Sequence, residues 1–239
     1  MMGIVQFFSV MALFPEVALL MGIGFAISIF SEVWIFLAYR RYQKQIAPIT
    51  GIQTAGTILC SNGMPNMKMQ VITGCMTDKY DPRKKQLFLS QGVAECTSIA
   101  AIAIAAHECG HAIQHHRHNL LFYFRRFMVP FVNLGSWMSL PIILIGAVFS
   151  KSKLLGLGIF LFGLATLFYL ITLPLEIDAS RKGLRELVRC QIIEKDSRQY
   201  RQCRRMLTAA AFTYFAALTS SIISLIKVIV LSGARNDSV

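Results

Sequence analysis

The chain has 239 residues, of which 55% are hydrophobic and 15% charged, and its mean hydropathy is +0.55. This composition is too apolar for an ordinary soluble domain and indicates an integral membrane protein. The formal net charge of +12 suggests nucleic acid, but no recognisable binding motif or aromatic interleaving accompanies it, so we expect no nucleic-acid partner.

Four apolar stretches are long enough to cross the hydrocarbon core of a bilayer, which takes about 20 helical residues. They cover residues 17–39, 128–149, 154–173 and 207–231. Residues 1–14 are apolar but lack the basic start and the cleavage site of a signal peptide, so we interpret them as a lead-in to the first span. The sequence predicts about four transmembrane helices in contact with lipid.

Basic residues are concentrated in two of the segments between spans. Residues 40–127 and 175–206 contain 20 of the 24 Lys and Arg residues, and with four spans both segments lie on one side. The positive-inside rule makes that side cytoplasmic, at a plasma (inner) membrane. The predicted organisation is a first span at 1–39, a cytoplasmic segment at 40–127, a membrane hairpin at 128–174, a cytoplasmic helical segment at 175–206, and a last span with tail at 207–239.

The first cytoplasmic segment is long enough for a small water-exposed subdomain. Residues 53–62 predict a short amphipathic helix, and residues 69–72 and 86–90 predict two short strands around a turn-rich connection at 74–83. The second strand either receives the backbone of a substrate by strand addition or forms one half of a structural hairpin. The predicted fold is mainly α, a multi-spanning membrane protein with a small α+β cytoplasmic segment.

The motif His107-Glu108-Cys109-Gly110-His111 lies in an Ala-rich stretch that predicts a helix, with Thr97 or Ser98 as its N-cap. Residues four apart share a helix face, so the two histidines can bind one metal ion while Glu108 lies beside it. The pattern predicts a zincin-like active-site helix that binds Zn²⁺.

A catalytic zinc site needs a third protein ligand and an open position. His115 shares the face of the motif, but on a straight helix it lies about 12 Å along the axis from His107. His118 does not fit the metzincin spacing, which requires Gly and His where the chain has Gln114 and Arg117. We expect His115, His116 and His118 to be solvated or to support the ligands.

Glu176 is the better candidate for the third ligand. Pro174 is expected to stop or kink the third span, so that Glu176 and Asp178 follow on the same side as the motif. Asp178 lies on another face of the helix and is expected either to orient a histidine or to pair with Arg181 or Lys182. The alternative for both acids is a cluster of interfacial ion pairs.

The six cysteines all fall in the two cytoplasmic segments and form no C-x-x-C pair. Scattered cysteines in a reducing compartment are expected to be free thiols. Cys109 points away from His107 on the helix, so we expect it to pack in the core.

Four sequence blocks resemble those of the YugP-type neutral zinc metallopeptidases, in the same order and with the same spacing. They are Met76-Thr77-Asp78-Lys79-Tyr80-Asp81-Pro82-Arg83, Ala105-Ala106-His107-Glu108-Cys109-Gly110-His111-Ala112-Ile113-Gln114-His115, Asn133-Leu134-Gly135-Ser136-Trp137 and Leu173-Pro174-Leu175-Glu176-Ile177-Asp178-Ala179-Ser180-Arg181.

The resemblance implies a membrane-bound, zinc-dependent peptidase related to gluzincin-like membrane proteases, with its third ligand in the segment that contains Glu176. In the wider relatives an Asp that supports the site typically follows the ligand Glu by four residues. This chain has Ser180 there, and Asp178 is the candidate to take over the supporting role.

The predicted function is hydrolysis of peptide bonds in protein or peptide substrates, with His107, His111 and Glu176 as zinc ligands and Glu108 as general base. The sequence does not rank Tyr80, His115 and Arg181 as donors to the oxyanion. Two alternatives are an intramembrane protease of the site-2 type, and a membrane protein that binds zinc without catalysis and has no need of Glu108.

Overall fold

The structure is a computed structural model that describes residues 15–149 and 152–236. The predicted lead-in at residues 1–14 therefore lies outside the described residues. In chain order the elements are α1 (Pro15–Gln43), α2 (Gly51–Ser61), β1 (Lys68–Ile72), β2 (Lys79–Asp81), β3 (Gln86–Ser90), α3 (Gln91–Ala94), α4 (Ile99–His116), α5 (Leu120–Val148), α6 (Ser152–Arg189) and α7 (Arg198–Asn236).

Four of the described helices are long and apolar enough to cross a membrane, which confirms the predicted number. The candidate spans are Leu19–Gln43, Leu120–Gly146, Lys153–Arg189 and Arg198–Val230. Of the two expectations for Pro174, a stop of the third span is wrong, because α6 continues through this residue to Arg189, and a kink stays a prediction. A proline removes one backbone hydrogen bond, and the turns on both sides of it can stay helical when neighbouring groups pack around them.

The chain divides into two compact units, each built from separate stretches of sequence. Of the described residues, unit 1 comprises 15–31, 124–149, 152–173 and 214–236, and unit 2 comprises 32–123 and 174–213. The five-part division that the sequence predicts stays a prediction.

Unit 1 contains helical segments whose large apolar side chains are widely exposed, such as Phe25, Phe127 and Phe160. Its small core contains Met128, Val132 and Ala165. Hydroxyl groups join its helices: Ser28 Oγ lies 2.8 Å from Ser220 Oγ, and Thr166 Oγ1 lies 2.7 Å from Ser221 Oγ. Exposed apolar side chains with polar groups paired between helices are what a lipid environment requires.

Unit 2 is organised around α4, whose apolar residues Ile99, Ile102 and Ile113 belong to the main core. The helix begins at its predicted N-cap, since the Ser98 side chain accepts a hydrogen bond from the backbone N–H of Ala101. Helix α2 confirms the predicted amphipathic helix and begins with a capping box formed by Thr50 and Gln53. The metal motif is therefore carried by a well-anchored, buried helix.

The sheet of unit 2 has the strand order β1-β3-β2. Strand β1 pairs with β3 in parallel, and β2 pairs with β3 in antiparallel register, with Tyr80 opposite Leu87. The two predicted strands exist, but the hairpin interpretation is wrong because they run parallel. Strand addition is wrong for Leu87 and Phe88, because β1 pairs with one edge of these residues and β2 with the other. The sequence analysis missed β2, because its three residues lie within a turn-rich segment.

Candidate metal centre

Three side chains of unit 2 meet at one point, as the sequence analysis predicted. His107 Nε2 lies 3.2 Å and His111 Nε2 lies 3.3 Å from Glu176 Oε2. The three residues form a group able to hold a metal ion, with ligand atoms within 4.8 Å of one another. Glu176 and His111 are buried, and His107 is half-buried.

Helices α4 and α6 approach closely enough to bring these side chains together because glycines remove side-chain bulk at the crossing. A Cβ at Gly110 would lie 2.3 Å from the carbonyl oxygen of Ala179, and one at Gly183 would lie 2.5 Å from that of Ala106. Both distances are shorter than any van der Waals contact. The glycine inside the histidine motif therefore permits the contact that delivers Glu176.

The arrangement fits a tetrahedrally coordinated zinc ion. With bonds of about 2.0–2.2 Å from zinc to nitrogen and oxygen, neighbouring ligand atoms in a tetrahedron are about 3.3–3.5 Å apart. The observed distances of 3.2 and 3.3 Å agree with that edge length. Two imidazoles and one carboxylate are a donor set of catalytic zinc sites, which leave the fourth position open.

The Nδ1 atoms of both histidines have partners that turn their Nε2 atoms toward Glu176. His111 Nδ1 lies 3.0 Å from Gln114 Oε1, and Gln114 Nε2 donates to the Leu175 carbonyl and to Asp178 Oδ2. Because the two acceptors fix the orientation of the glutamine amide, His111 donates from Nδ1 and its Nε2 carries the lone pair. Such support raises metal affinity in known sites.

His107 receives comparable support from Ser180, whose Oγ lies 3.0 Å from His107 Nδ1. Ser180, which stands where the wider relatives typically have Asp, therefore contacts a histidine of the motif directly. Of the two expectations for Asp178, the ion pair with Lys182 is confirmed; its other contact is with Gln114, not with a histidine. Sequence reasoning missed both Gln114 and Ser180. Their helical spacings, three residues after His111 and four after Glu176, were the available signals.

Glu108 lies beside the three candidate ligands. Its Oε2 accepts a 2.8 Å hydrogen bond from the backbone N–H of Tyr80 on β2. The pKa of Glu108 is raised to about 7, and burial is the largest cause; His107 and the Tyr80 N–H lower this pKa, while the charges of Glu176 and Asp78 raise it. A carboxyl group that exchanges its proton near neutral pH is suited to acid-base chemistry.

Tyr80 also contacts the same helix through its side chain. Its hydroxyl oxygen lies 2.8 Å from His115 Nδ1, and the His115 ring stacks on Phe122 with centroids 5.3 Å apart. Of the two expectations for His115, solvation is wrong, because β2 and Phe122 cover it, and a role in supporting the ligands stays a prediction; His116 and His118 are exposed.

The cysteines agree with the prediction of free thiols, since all six, in the described part of the chain, are unpaired with one another. Cys109 is fully buried and packs in the core of unit 2, also as predicted. Burial raises the pKa of its thiol, which favours the neutral form over a thiolate ligand.

The chain matches over residues 17–233 a family model described as "Putative neutral zinc metallopeptidase". It is 35% identical over 195 residues to the "Putative membrane protease YugP" of Bacillus subtilis (strain 168), covering 81% of this chain and 86% of that relative. No solved structure matches the chain significantly. The four apolar helices agree with the membrane location in the relative's name, and the chain belongs to the neutral zinc metallopeptidase family.

Proposed function

We propose that the chain is a membrane-bound zinc metallopeptidase that hydrolyses peptide bonds in protein or peptide substrates. His107, His111 and Glu176 hold the ion, and Glu108 is the general base. The observation that carries the proposal is the convergence of two Nε2 atoms on one carboxylate oxygen, 3.2 and 3.3 Å away, beside the buried carboxyl group of Glu108.

Zinc, when bound at this site, polarises the scissile carbonyl and lowers the pKa of a water molecule. The residues of the chain orient the ion and move the proton. Glu108 accepts the proton of the attacking water and passes it to the leaving amine. The Tyr80 N–H fixes Oε2 of Glu108, so we assign the proton transfer to Oε1. Gln114 and Ser180 hold the two imidazoles in the ligand tautomer.

The membrane orientation is part of the proposal. The charge asymmetry of the sequence supports a cytoplasmic site, since 20 of the 24 Lys and Arg residues lie in 40–127 and 175–206. These two segments also contain all four residues of the site. We place the protein in the plasma (inner) membrane with the site facing the cytoplasm.

Two observations favour this function over the alternatives. A site-2 type protease carries its histidine motif on a spanning segment, whereas α4 is not among the four candidate spans found in the described residues. A non-catalytic zinc site has no use for an acid beside its first ligand, whereas Glu108 is held in place by the Tyr80 N–H.

The test uses the full-length protein purified in detergent, with an unfolded model protein such as denatured casein as substrate. We expect about one zinc per chain and cleavage that a chelator abolishes and added zinc restores. Glu108→Gln should retain zinc and lose cleavage by a factor of at least about 100. Full zinc occupancy with unchanged cleavage in Glu108→Gln would contradict the mechanism.

A further inference from the structure

We propose that the Tyr80 hydroxyl donates a hydrogen bond to the oxyanion of the transition state, and that His115 is the positioning residue that holds it. This assignment rests on the proposed function and adds a catalytic residue from outside the helix that carries the motif. The group that it recognises is the negatively charged oxygen on the tetrahedral carbon formed from the scissile carbonyl.

The first support is that Tyr80 lies along α4 and contacts this helix at two points. Its backbone N–H contacts Glu108 at 2.8 Å, and its hydroxyl contacts His115 at 2.8 Å. Residues seven apart on a helix lie on nearly the same face, about 10 Å apart along the axis. His111 lies between Glu108 and His115 on that face. Tyr80 therefore runs alongside the candidate metal centre and ends one turn beyond His111.

The second support is the packing of Phe122, which brings the same three rings together. Its centroid lies 6.5 Å from that of Tyr80, 6.5 Å from that of His111 and 5.3 Å from that of His115. Phe122 stacks on His115 with an interplanar angle of 23°. The ring of His115 is thus fixed, and we assign its Nδ1–H as the donor to the Tyr80 oxygen, which directs the hydroxyl proton toward substrate.

The third support is the way in which two acidic side chains fix the strand of Tyr80. Asp78 Oδ1 accepts a 2.6 Å hydrogen bond from the Ser90 N–H at the end of β3. Asp81 Oδ1 accepts hydrogen bonds of 2.8 and 3.3 Å from the N–H groups of Arg83 and Lys84. A donor to a transition state needs such a rigid support, because its contribution depends on a preset position.

The structure also distinguishes the three candidate donors to the oxyanion, Tyr80, His115 and Arg181. Arg181 is exposed, whereas His115 is buried and Tyr80 is half-buried. His115 directs Nδ1 at the Tyr80 hydroxyl, which gives it the supporting position and leaves the tyrosine as the donor.

The chain contains a matched control for this pair. Tyr123 Oη lies 3.2 Å from His118 Nδ1, and the two rings stack with centroids 6.0 Å apart. Both residues are exposed. Tyr123→Phe therefore removes a histidine-bonded hydroxyl of the same kind and keeps the Tyr123 ring, which packs edge-on against His115 with centroids 5.5 Å apart.

The experiment compares zinc content, kcat, KM and the binding of a phosphinic pseudodipeptide with leucine-like side chains, measured by calorimetry on zinc-loaded protein. The phosphinic oxygens mimic the oxyanion. We expect Tyr80→Phe to keep its zinc and its KM within about 3-fold, while kcat falls by about 100-fold and the Kd for the phosphinic compound rises by a similar factor. Tyr123→Phe should change none of these quantities.

His115 is tested by two substitutions. His115→Leu should reproduce the loss of kcat seen in Tyr80→Phe, whereas His115→Asn, whose amide nitrogen lies near the position of Nδ1, should restore part of it at unchanged zinc content. A purely structural role would lower zinc content or thermal stability in both variants.

Two results would overturn the assignment: unchanged kcat and phosphinic affinity in Tyr80→Phe, or loss of its zinc. Failure of the proposed function is distinguishable, because the wild type would then bind zinc without cleaving casein.

Discussion

The two units of the chain arrange their polar side chains in opposite ways. In unit 1, hydroxyl groups form separate pairs, such as Ser28 with Ser220 and Thr166 with Ser221. Ser28 and Thr166 also bond to a carbonyl one turn earlier in their own helices. The hydroxyl groups of each pair find their hydrogen-bond partners locally, as expected in apolar surroundings, where an unpaired polar group is costly.

In unit 2, polar side chains form one connected chain that crosses between α4 and α6. It runs from Lys182 through Asp178, Gln114 and His111 to Glu176, and continues through His107 to Ser180. We expect a substitution at one end of such a chain to change the positions of the metal ligands, whereas a substitution in a separate pair affects only that pair.

The largest effect should come from closing the space between α4 and α6. In Gly110→Ala the new methyl group would lie 2.3 Å from the backbone oxygen of Ala179, so the helices must separate and Glu176 must move away from the histidines. We expect zinc content to fall at least about tenfold, with a loss of about 1–3 kcal/mol in stability. Elemental analysis and thermal unfolding in detergent measure both quantities.

Gly163→Ala in unit 1 is the matched control, because a Cβ there has nothing within 4 Å. It should retain zinc, activity and stability. Full zinc occupancy in Gly110→Ala would show that the close crossing of the helices is not needed for the site.

A smaller effect should follow from cutting the polar chain at Gln114. Gln114→Leu removes the acceptor of His111 Nδ1 and the link to Asp178. We expect zinc affinity to fall about 10- to 100-fold in competition with a chelator. Gln202→Leu, at a glutamine of α7 that contacts Gln45, serves as the control and should bind zinc as the wild type does. Equal affinities in the two variants would remove Gln114 from the support of the site.

Local patterns in the sequence were sufficient to predict the number of spans, the helix that carries the motif and the convergence of its histidines with Glu176. Helical spacing is a short-range property, and the position of Glu176 follows from its place just beyond the third apolar stretch. The parallel pairing of β1 with β3 was not predictable, because it depends on β2, which has only three residues.

The residues that hold the two histidines in place were not predicted either. Gln114 and Ser180 are ordinary helix residues until α4 and α6 cross, and the crossing distance depends on the Gly110 and Gly183 contacts. The sequence left a stop and a kink open at Pro174, because a proline weighs against a helix in either case; the helix continues because its neighbouring turns compensate for one missing hydrogen bond.

Removing a separate pair in unit 1 should have a modest effect. Thr166→Val deletes the 2.7 Å contact with Ser221. Hydroxyl bonds between membrane helices contribute about 0.6 kcal/mol on average, so thermal stability should fall slightly while zinc affinity and kcat stay unchanged. A drop in zinc affinity in this variant would show that the two units do not differ as described.

The smallest effect concerns the pH dependence of stability through Asp78. Burial raises the pKa of Asp78 above its ordinary value, so the folded protein binds its proton more tightly than the unfolded chain does. Stability from this group is therefore present below the ordinary pKa and is lost as pH rises toward the raised value. Asp78→Asn should remove this loss, so that Tm falls less between pH 4 and 7 in the variant than in the wild type. An identical pH dependence in wild type and variant would contradict it.

The zinc content of Glu176→Ala, measured beside that of Asp178→Ala, tests the central claim most directly. Both variants remove one carboxylate from the same turn of α6, but only Glu176 points at both histidines. We predict less than about one tenth of the wild-type zinc in Glu176→Ala and most of it in Asp178→Ala. Retained zinc in Glu176→Ala together with its loss in Asp178→Ala would contradict the account and transfer the ligand role to Asp178.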